Sequence, residues 1–272
     1  MKPLLFIFFL LYTPLAAAPL IVGTSVSPQA TLVQKVGGER VQVITLIPPG
    51  ANPHTYNLRP RQLAQISKAQ LYIAIGNDFS FEQTWLNRII SLNPNLKIVN
   101  CSQTVITHTD HEHLDPHFWL SPRGCKIAID NITQGLTDAD PKGKHTYQAN
   151  QKTYKTKLDS LNTWVIQTLA NLQTRTILVY HPAWTHFAHD FNLTQLAIEH
   201  EGKDPTPKHM AYLITQAKKH GIRTIFSEPQ FNNASAKTIA NEINGKIIYL
   251  DPLAPDPITN IQTLTRTIAD QH

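Results

Sequence analysis

The chain has 272 residues, an apolar fraction of 42% and a formal net charge of +5. Its Lys and Arg residues are spread along the chain and form no clustered basic stripe of the kind that follows a phosphate backbone, so nucleic acid is excluded as a partner. A chain of this length forms one large domain or two smaller ones, and length alone does not decide between them.

The first 18 residues are predicted to be a secretory signal peptide. Lys2 precedes an almost entirely apolar run from Leu4 to Leu11, and small residues follow up to Ala18. The apolar run is too short for a membrane span, which needs about 20 apolar residues. No cysteine ends the run, so we expect no covalent membrane anchor and a mature protein that is free in a periplasm.

The chain has two cysteines, Cys101 and Cys125. An oxidising compartment would permit them to pair, but the sequence does not say whether their side chains face each other. A disulfide is therefore left open. A cysteine metal site is less favoured, because the two thiols lack the CxxC clustering that is typical of structural zinc.

From Leu20 to Asn100, short β-rich runs alternate with helical stretches. This spacing predicts a parallel sheet covered by helices, which together form a first lobe. The predicted strands span 20–23, 41–47, 71–75 and 97–100, and the predicted helices span 28–36, 60–67 and 82–91.

A long amphipathic helix is predicted next, from about Ala139 to Leu172, where apolar residues recur at spacings of three and four. A second alternating series follows it. Its predicted strands span 176–180, 194–198, 224–226 and 247–250, and its predicted helices span 182–191, 207–220 and 234–244. The chain is thus interpreted as a lobe over 19–138, a bridging helix over 139–172 and a lobe over 173–272.

Four polar residues lie where an open α/β sheet binds its ligands, beyond the carboxyl ends of strands. His54, His181 and Asp251 each follow a predicted strand, and His117 lies in DPHFWLSP, a proline-flanked turn before a helix at Pro122. Each alone is weak evidence for a site. Three imidazoles and a carboxylate in one cleft would make a suitable four-coordinate site for Zn²⁺.

Four stretches resemble, in the same order, the metal-specific solute-binding proteins of bacterial ABC importers, in particular the ZnuA-type zinc branch. The four stretches are the segment from PLIVGTSVSPQ to PPGANPHTYNLRPRQLAQISKAQLYIAIG, DPHFWLSP, YHPAWTHFAHDFNL, and GIRTIFSEPQFNNASAKTIANEINGKIIYLDPL. The likeness covers nearly the whole mature chain. It implies an α/β fold of two Rossmann-like lobes bridged by one long rigid α-helix. It also implies the ligands His54 and His117 from the first lobe and His181 and Asp251 from the second.

The resemblance further implies a monomer that is not an enzyme, captures Zn²⁺ and delivers it to the membrane permease of an ABC transporter. In this family, zinc binders tend to have His at the third ligand and manganese binders a carboxylate, and this chain has His181. Imidazole-rich sites favour Zn²⁺, whereas Mn²⁺ prefers oxygen ligands. A manganese- or iron-binding member of the same family is the alternative.

Three points stay open at this level. The family's usual segment after LDPL is absent here, so Glu228 in FSEPQF is the reserve candidate for the fourth ligand beside Asp251. The segment THTDHEH is either an accessory metal-collecting loop or a solvated loop without a defined role; its histidines are His108, His111 and His113.

A zinc hydrolase is the rival class, but no HExxH motif or evident general base accompanies the histidines. A scaffold with a structural metal is the third class.

Overall fold

A computed structural model of the chain describes residues 18–76, 78–105, 115–199, 203–231 and 233–270. Residues 1–17 of the predicted signal peptide lie outside the described residues. So does the segment that carries His108, His111 and His113. Among the described helices, none is both long enough and apolar enough to cross a membrane.

The strands of the described residues form two four-stranded sheets, and every strand pair in them is parallel. The first sheet has the order β2-β1-β3-β4 and the second has the order β6-β5-β7-β8, so each sheet has its first strand inside and the next strand at an edge. The strands are β1 Leu20–Thr24, β2 Val41–Thr45, β3 Leu71–Ala74, β4 Lys97–Asn100, β5 Thr176–Val179, β6 Thr194–Ala197, β7 Thr224–Ser227 and β8 Lys246–Tyr249.

Helices connect the strands, as parallel pairing requires. They are α1 Ser27–Gly37, α2 Pro60–Ile66, α3 Ser80–Leu92, α4 Pro122–Ala139, α5 Lys144–Thr168, α6 Thr185–Asp190, α7 Pro207–Lys219, α8 Ala234–Glu242 and α9 Pro257–Ala269. The predicted fold class, two α/β lobes bridged by a long helix, is confirmed. Helix α9 was not predicted, and α4 was predicted only as a helix beginning at Pro122.

The bridging helix α5 has 25 residues and lies inside the predicted interval. It begins at Lys144 rather than near Ala139 because Pro141–Gly143 forms a separate 3₁₀ turn. Its buried side chains include Leu158, Leu161 and Val165, at the spacing of one helix face. The helix packs along this face against α1, α4 and α9.

One apolar core runs through both lobes. It includes Leu32 of α1, Trp119 of the segment before α4, Leu158 of α5, and Trp184 and Leu253 of the C-terminal lobe. A smaller cluster fills the other side of the second sheet under α7 and α8. Because the main core is shared, moving the lobes far apart would expose apolar surface to water, which opposes wide opening.

The two cysteines are buried and not bonded to each other. The Sγ atom of Cys125 donates to the carbonyl oxygen of Trp119 at 3.2 Å, and the amide of Gln29 donates to Sγ of Cys101 at 3.5 Å. Burial raises the pKa of both thiols. They are therefore packed as neutral core residues, and the disulfide that the sequence left open does not form in this structure.

Candidate metal centre

Three of the predicted site residues come together between the lobes. His54 lies in the loop between β2 and α2, His117 lies just before the 3₁₀ turn Phe118–Leu120, and His181 follows β5. The ring centroids of His117 and His181 are 5.3 Å apart, and those of His54 and His181 are 5.6 Å apart. His117 and His181 are each 8% exposed, whereas His54 is largely accessible to solvent.

Each of the three rings uses its Nδ1 atom in a hydrogen bond. Nδ1 of His117 lies 2.6 Å from Oδ1 of Asp115, and Nδ1 of His181 lies 2.8 Å from Oε2 of Glu199.

The third contact is weaker, because Nδ1 of His54 faces the neutral hydroxyl of Ser80 at 3.1 Å. A carboxylate can only accept, so Nδ1 of His117 and of His181 carries the proton and donates it. In a neutral ring this leaves the lone pair on Nε2, the atom available to bind a metal ion.

The surroundings of the rings shift their pKa values in different directions. His54 is exposed as a residue, but partial burial of its ring lowers its pKa, and the neighbouring His181 and His117 lower the pKa further. Burial also dominates at His117, where it outweighs the opposing effect of Asp115 and lowers the pKa. At His181 burial acts in the same direction, but the hydrogen bond and charge of Glu199 outweigh it and raise the pKa.

The predicted fourth residue, Asp251, follows β8 but does not bond to the imidazoles. Its Oδ1 atom accepts from Nε2 of Gln230 and from the backbone N–H of Leu253, both at 2.8 Å. Among the described residues it makes no hydrogen bond or ion pair with His54, His117 or His181.

The reserve candidate Glu228 is buried beside His181. It is 1% exposed, and its Oε2 atom has no hydrogen-bond partner among the described residues. Burial raises the pKa of Glu228 to about 8, although the charge of His181 opposes this shift. The raised pKa favours the protonated form, and a carboxyl group must lose its proton before it can bind a metal ion.

The three imidazoles can bind one small cation through their ring nitrogens. Two imidazoles on one tetrahedral Zn²⁺, with Zn–N bonds of about 2.0–2.1 Å, have ring centroids roughly 5 Å apart. The separations of 5.3 and 5.6 Å are close to this value. In the part of the chain that the structure describes, no group of three or more His, Cys, Asp or Glu side chains is placed so that all of its members could bind one metal ion.

Sequence reasoning missed the residues that orient the rings. Asp115 lies two residues before His117 in the DPH motif, and Glu199 follows β6 at its carboxyl end. The rule that identified His181, a polar residue just after a strand, would have identified Glu199 as well. Ser80 carries no comparable signal.

The fold and the cluster of imidazoles define a two-lobed metal-binding protein of the solute-binding class. The family model for ZnuA, zinc-uptake complex component A, periplasmic, matches residues 22–271. The chain therefore belongs to this family, whose members are extracytoplasmic metal-binding components of ABC uptake systems.

Individual relatives agree with this assignment. The high-affinity zinc uptake system protein ZnuA of Bacillus subtilis is 27% identical over 251 residues, which is 85% of this chain and 78% of that protein. The manganese-binding lipoprotein MntA of Halalkalibacterium halodurans is 25% identical over 227 residues, which is 80% and 74% of the two chains. A crystal structure of ZnuA has a TM-score of 0.89 at 36% identity and covers 93% of this chain and 99% of that one. The predicted identity as a zinc-binding uptake component is confirmed.

Gly124 near the start of α4 lets this helix approach the segment that carries His117. A Cβ atom at Gly124 would lie 2.2 Å from the carbonyl oxygen of Phe118, a backbone atom that cannot simply rotate away. We therefore expect Gly124→Ala to lower the free energy of unfolding by about 1–3 kcal/mol, as overpacking does, and to weaken zinc binding by displacing His117. Urea denaturation and zinc titration measure the two effects.

Gly135→Ala in the same helix is the matched control. There an added Cβ would meet Val99 side-chain atoms, the nearest at 2.8 Å, and no atom of the segment that carries His117 is among its three nearest contacts. We expect this variant to lose stability but to keep the parental zinc affinity. Equal loss of zinc affinity in both variants would show that Gly124 acts on the whole helix and not on the position of His117.

Proposed function

We propose that this chain captures one Zn²⁺ with Nε2 of His54, His117 and His181, completes the coordination with Asp251, and hands the ion to the membrane permease of an ABC importer. The observation that carries the ligand assignment is that all three rings have Nδ1 engaged while they converge at centroid distances of 5.3 and 5.6 Å. Because Nδ1 is engaged in each ring, Nε2 is the nitrogen that can bind a common ion.

Asp251 is the proposed fourth ligand because one of its carboxylate oxygens remains available. Gln230 and Leu253 hold Oδ1, and Oδ2 makes no hydrogen bond among the described residues. Glu228 is the alternative. Comparing Asp251→Asn with Glu228→Gln in zinc titrations distinguishes them, since only the variant that removes a ligand should weaken binding strongly.

The nitrogen-rich ligand set supports zinc over manganese. Imidazole is a good ligand for Zn²⁺, Mn²⁺ is weakest in the order of divalent first-row metals, and its preferred ligands are oxygens. With three imidazoles and one carboxylate, the proposed site has a single side-chain oxygen donor group. Titration with Mn²⁺ should therefore require a much higher metal concentration than titration with Zn²⁺.

We further propose that residues 1–18 direct export to a periplasm, and that the mature chain acts there as a monomer without a lipid anchor. The N-terminal lobe would span 19–138, the bridging region 139–172 and the C-terminal lobe 173–272. The support is the order of charged, apolar and small residues at the start, where no cysteine stands between Leu11 and Leu20. Mass spectrometry of the exported protein would report both cleavage and acylation.

A transport role also accounts for the chemistry around the proposed site better than hydrolysis does. A zinc hydrolase needs an open coordination position and a base that can reach the bound water. Here the carboxylates of Asp115 and Glu199 are bonded to the far side of the ligand rings, at Nδ1. We therefore infer that the chain is not an enzyme and that no hydrolysis of ester or peptide substrates accompanies zinc binding.

Zinc loading should stabilise the fold with a stoichiometry of one ion per chain. A ligand that binds only the folded state adds RT ln(1 + [L]/Kd), which is about 2.7 kcal/mol at a free zinc concentration of 100 times Kd. Metal analysis of protein purified without chelator measures the stoichiometry, and thermal unfolding with and without Zn²⁺ measures the stabilisation. An unchanged melting temperature on adding Zn²⁺ to the metal-free protein would contradict the proposal.

A further inference from the structure

The segment from Asp115 to Ser121 is tied to the C-terminal lobe, although it precedes α4 of the N-terminal half. The indole Nε1 of Trp119 donates to the carbonyl oxygen of Pro252 at 2.8 Å, and the hydroxyl of Ser121 donates to Asp190 at the end of α6. His117 lies inside this segment. These two bonds join the segment to the lobe that carries His181.

Asp115 bonds both to His117 and to the C-terminal lobe. Its Oδ1 atom accepts from the backbone N–H of His117 at 2.9 Å and from Nδ1 of the same residue at 2.6 Å. Its Oδ2 atom accepts from the backbone N–H of Thr185, the first residue of α6, at 3.2 Å. Its main-chain oxygen accepts from Nε2 of His186 at 2.9 Å.

The Asp115 side chain is only 5% exposed, so water does not compete effectively for these bonds. One buried carboxylate thus orients the His117 ring and also bonds to α6, which begins four residues after His181. His54 has no such arrangement: it is exposed, and its ring bonds to the hydroxyl of Ser80. The three imidazoles are therefore held unequally.

We propose that Asp115 is a positioning residue that holds His117 and His181 as a fixed pair across the boundary between the lobes, whereas His54 reaches the ion from an exposed loop. This inference rests on the proposed function, because it assumes that the three histidines bind Zn²⁺. It adds that zinc affinity depends on a contact between the lobes that involves no ligand atom of the metal.

Zinc affinity of the full chain, measured against a competing chelator, tests the inference with two variants. Asp115→Asn keeps one oxygen for His117 but presents an amide N–H group to the N–H of Thr185, and we expect a loss of about 10- to 100-fold, the range for residues that support a metal ligand. His186→Phe keeps a ring in the buried site but removes the hydrogen bond to Asp115 across the lobes. We expect it to weaken binding roughly five-fold, as the loss of one hydrogen bond does.

The matched control is Asp190→Asn, which changes a carboxylate on the same interface without touching a histidine ligand's partner. It should lower the melting temperature of the metal-free protein yet keep the parental zinc affinity. Parental affinity in Asp115→Asn, or an equal loss in Asp190→Asn, would overturn the inference.

His117→Ala separates this inference from the function on which it rests. If His117→Ala binds zinc as the parent does, the proposed ligand set fails, whatever the Asp115 variant shows. If His117→Ala loses zinc while Asp115→Asn keeps it, the ligand set stands and only the positioning role is lost.

Discussion

Replacing His181 by alanine should weaken zinc binding by more than roughly 100-fold, beyond the range for residues that only support a ligand. The ring is the member of the cluster that contacts both other imidazoles, with centroids 5.3 Å from His117 and 5.6 Å from His54. Removing it would leave the site with only two nitrogen ligands, those of His54 and His117. Calorimetric titration of the metal-free variant with Zn²⁺ measures the loss.

The fold should survive this change. His181 follows β5 rather than lying within it, and its contacts are the carboxylate of Glu199 and the face of Phe231, whose centroid lies 5.3 Å away. We expect the free energy of unfolding of the metal-free variant to fall by about 1–3 kcal/mol, the cost of removing the partner of a buried polar group. Urea denaturation checks this value.

The control for His181→Ala is His145→Ala, which removes an exposed imidazole on α5. It should bind zinc as the parent does, which excludes a general effect of losing one histidine from a histidine-rich chain. Zinc affinity near the parental value in His181→Ala would remove this residue from the site.

The order of strands and helices was predictable because each strand is a short β-rich run that ends at a turn or a helix. β4 was predicted with its observed bounds, and most other boundaries differ by one or two residues. The full length of α4 was not predicted, because Gly124 and Gly135 and several β-branched residues give its sequence a weak helix propensity. Packing of its buried face, which includes Ile129, Ile132 and Leu136, stabilises the helix instead.

The C-terminal helix α9 could have been found. Asp256 accepts from the N–H groups of Ile258 and Thr259, and Pro257 begins the helix, which is a known start signal. Its buried Ile261, Leu264 and Ile268 recur at spacings of three and four. The threonine-rich composition between them hid this pattern.

The candidate site was predictable in part, for a physical reason. Parallel strands bring their carboxyl ends to one edge of their own sheet, so His54 after β2 and His181 after β5 were each expected at a ligand-binding edge. Only the resemblance implied that the two edges face each other. The resemblance assigned His117 to the first lobe only, and no sequence pattern indicates that Asp115 bonds to Thr185 on the other side of the cleft. Hydrogen bonds between segments that are 70 residues apart depend on how the lobes pack, which the sequence alone does not determine.

Acidification should weaken zinc binding, and the different pKa values of the three rings set the order in which the rings protonate. A protonated imidazole cannot coordinate, so each ring competes with protons once the pH approaches its pKa. The pKa of His181 is raised above 6.5 by Glu199, whereas burial lowers the pKa of His54 and of His117 below 6.5. We therefore expect His181 to be the first ring to protonate as the pH falls.

Zinc affinity should accordingly begin to fall while the pH is still above 6.5. Below the pKa of His181 it should fall about tenfold per pH unit for one competing proton, and more steeply once the other rings protonate. Chelator competition between pH 8 and pH 5 measures this curve. Glu199→Gln removes the negative charge that raises the pKa of His181 and keeps an oxygen that can accept from Nδ1. Burial would then lower the pKa, so the onset should move to lower pH even if the affinity at pH 8 also drops. An onset at the same pH in Glu199→Gln and in the parent would mean that His181 is not the proton-sensitive ligand.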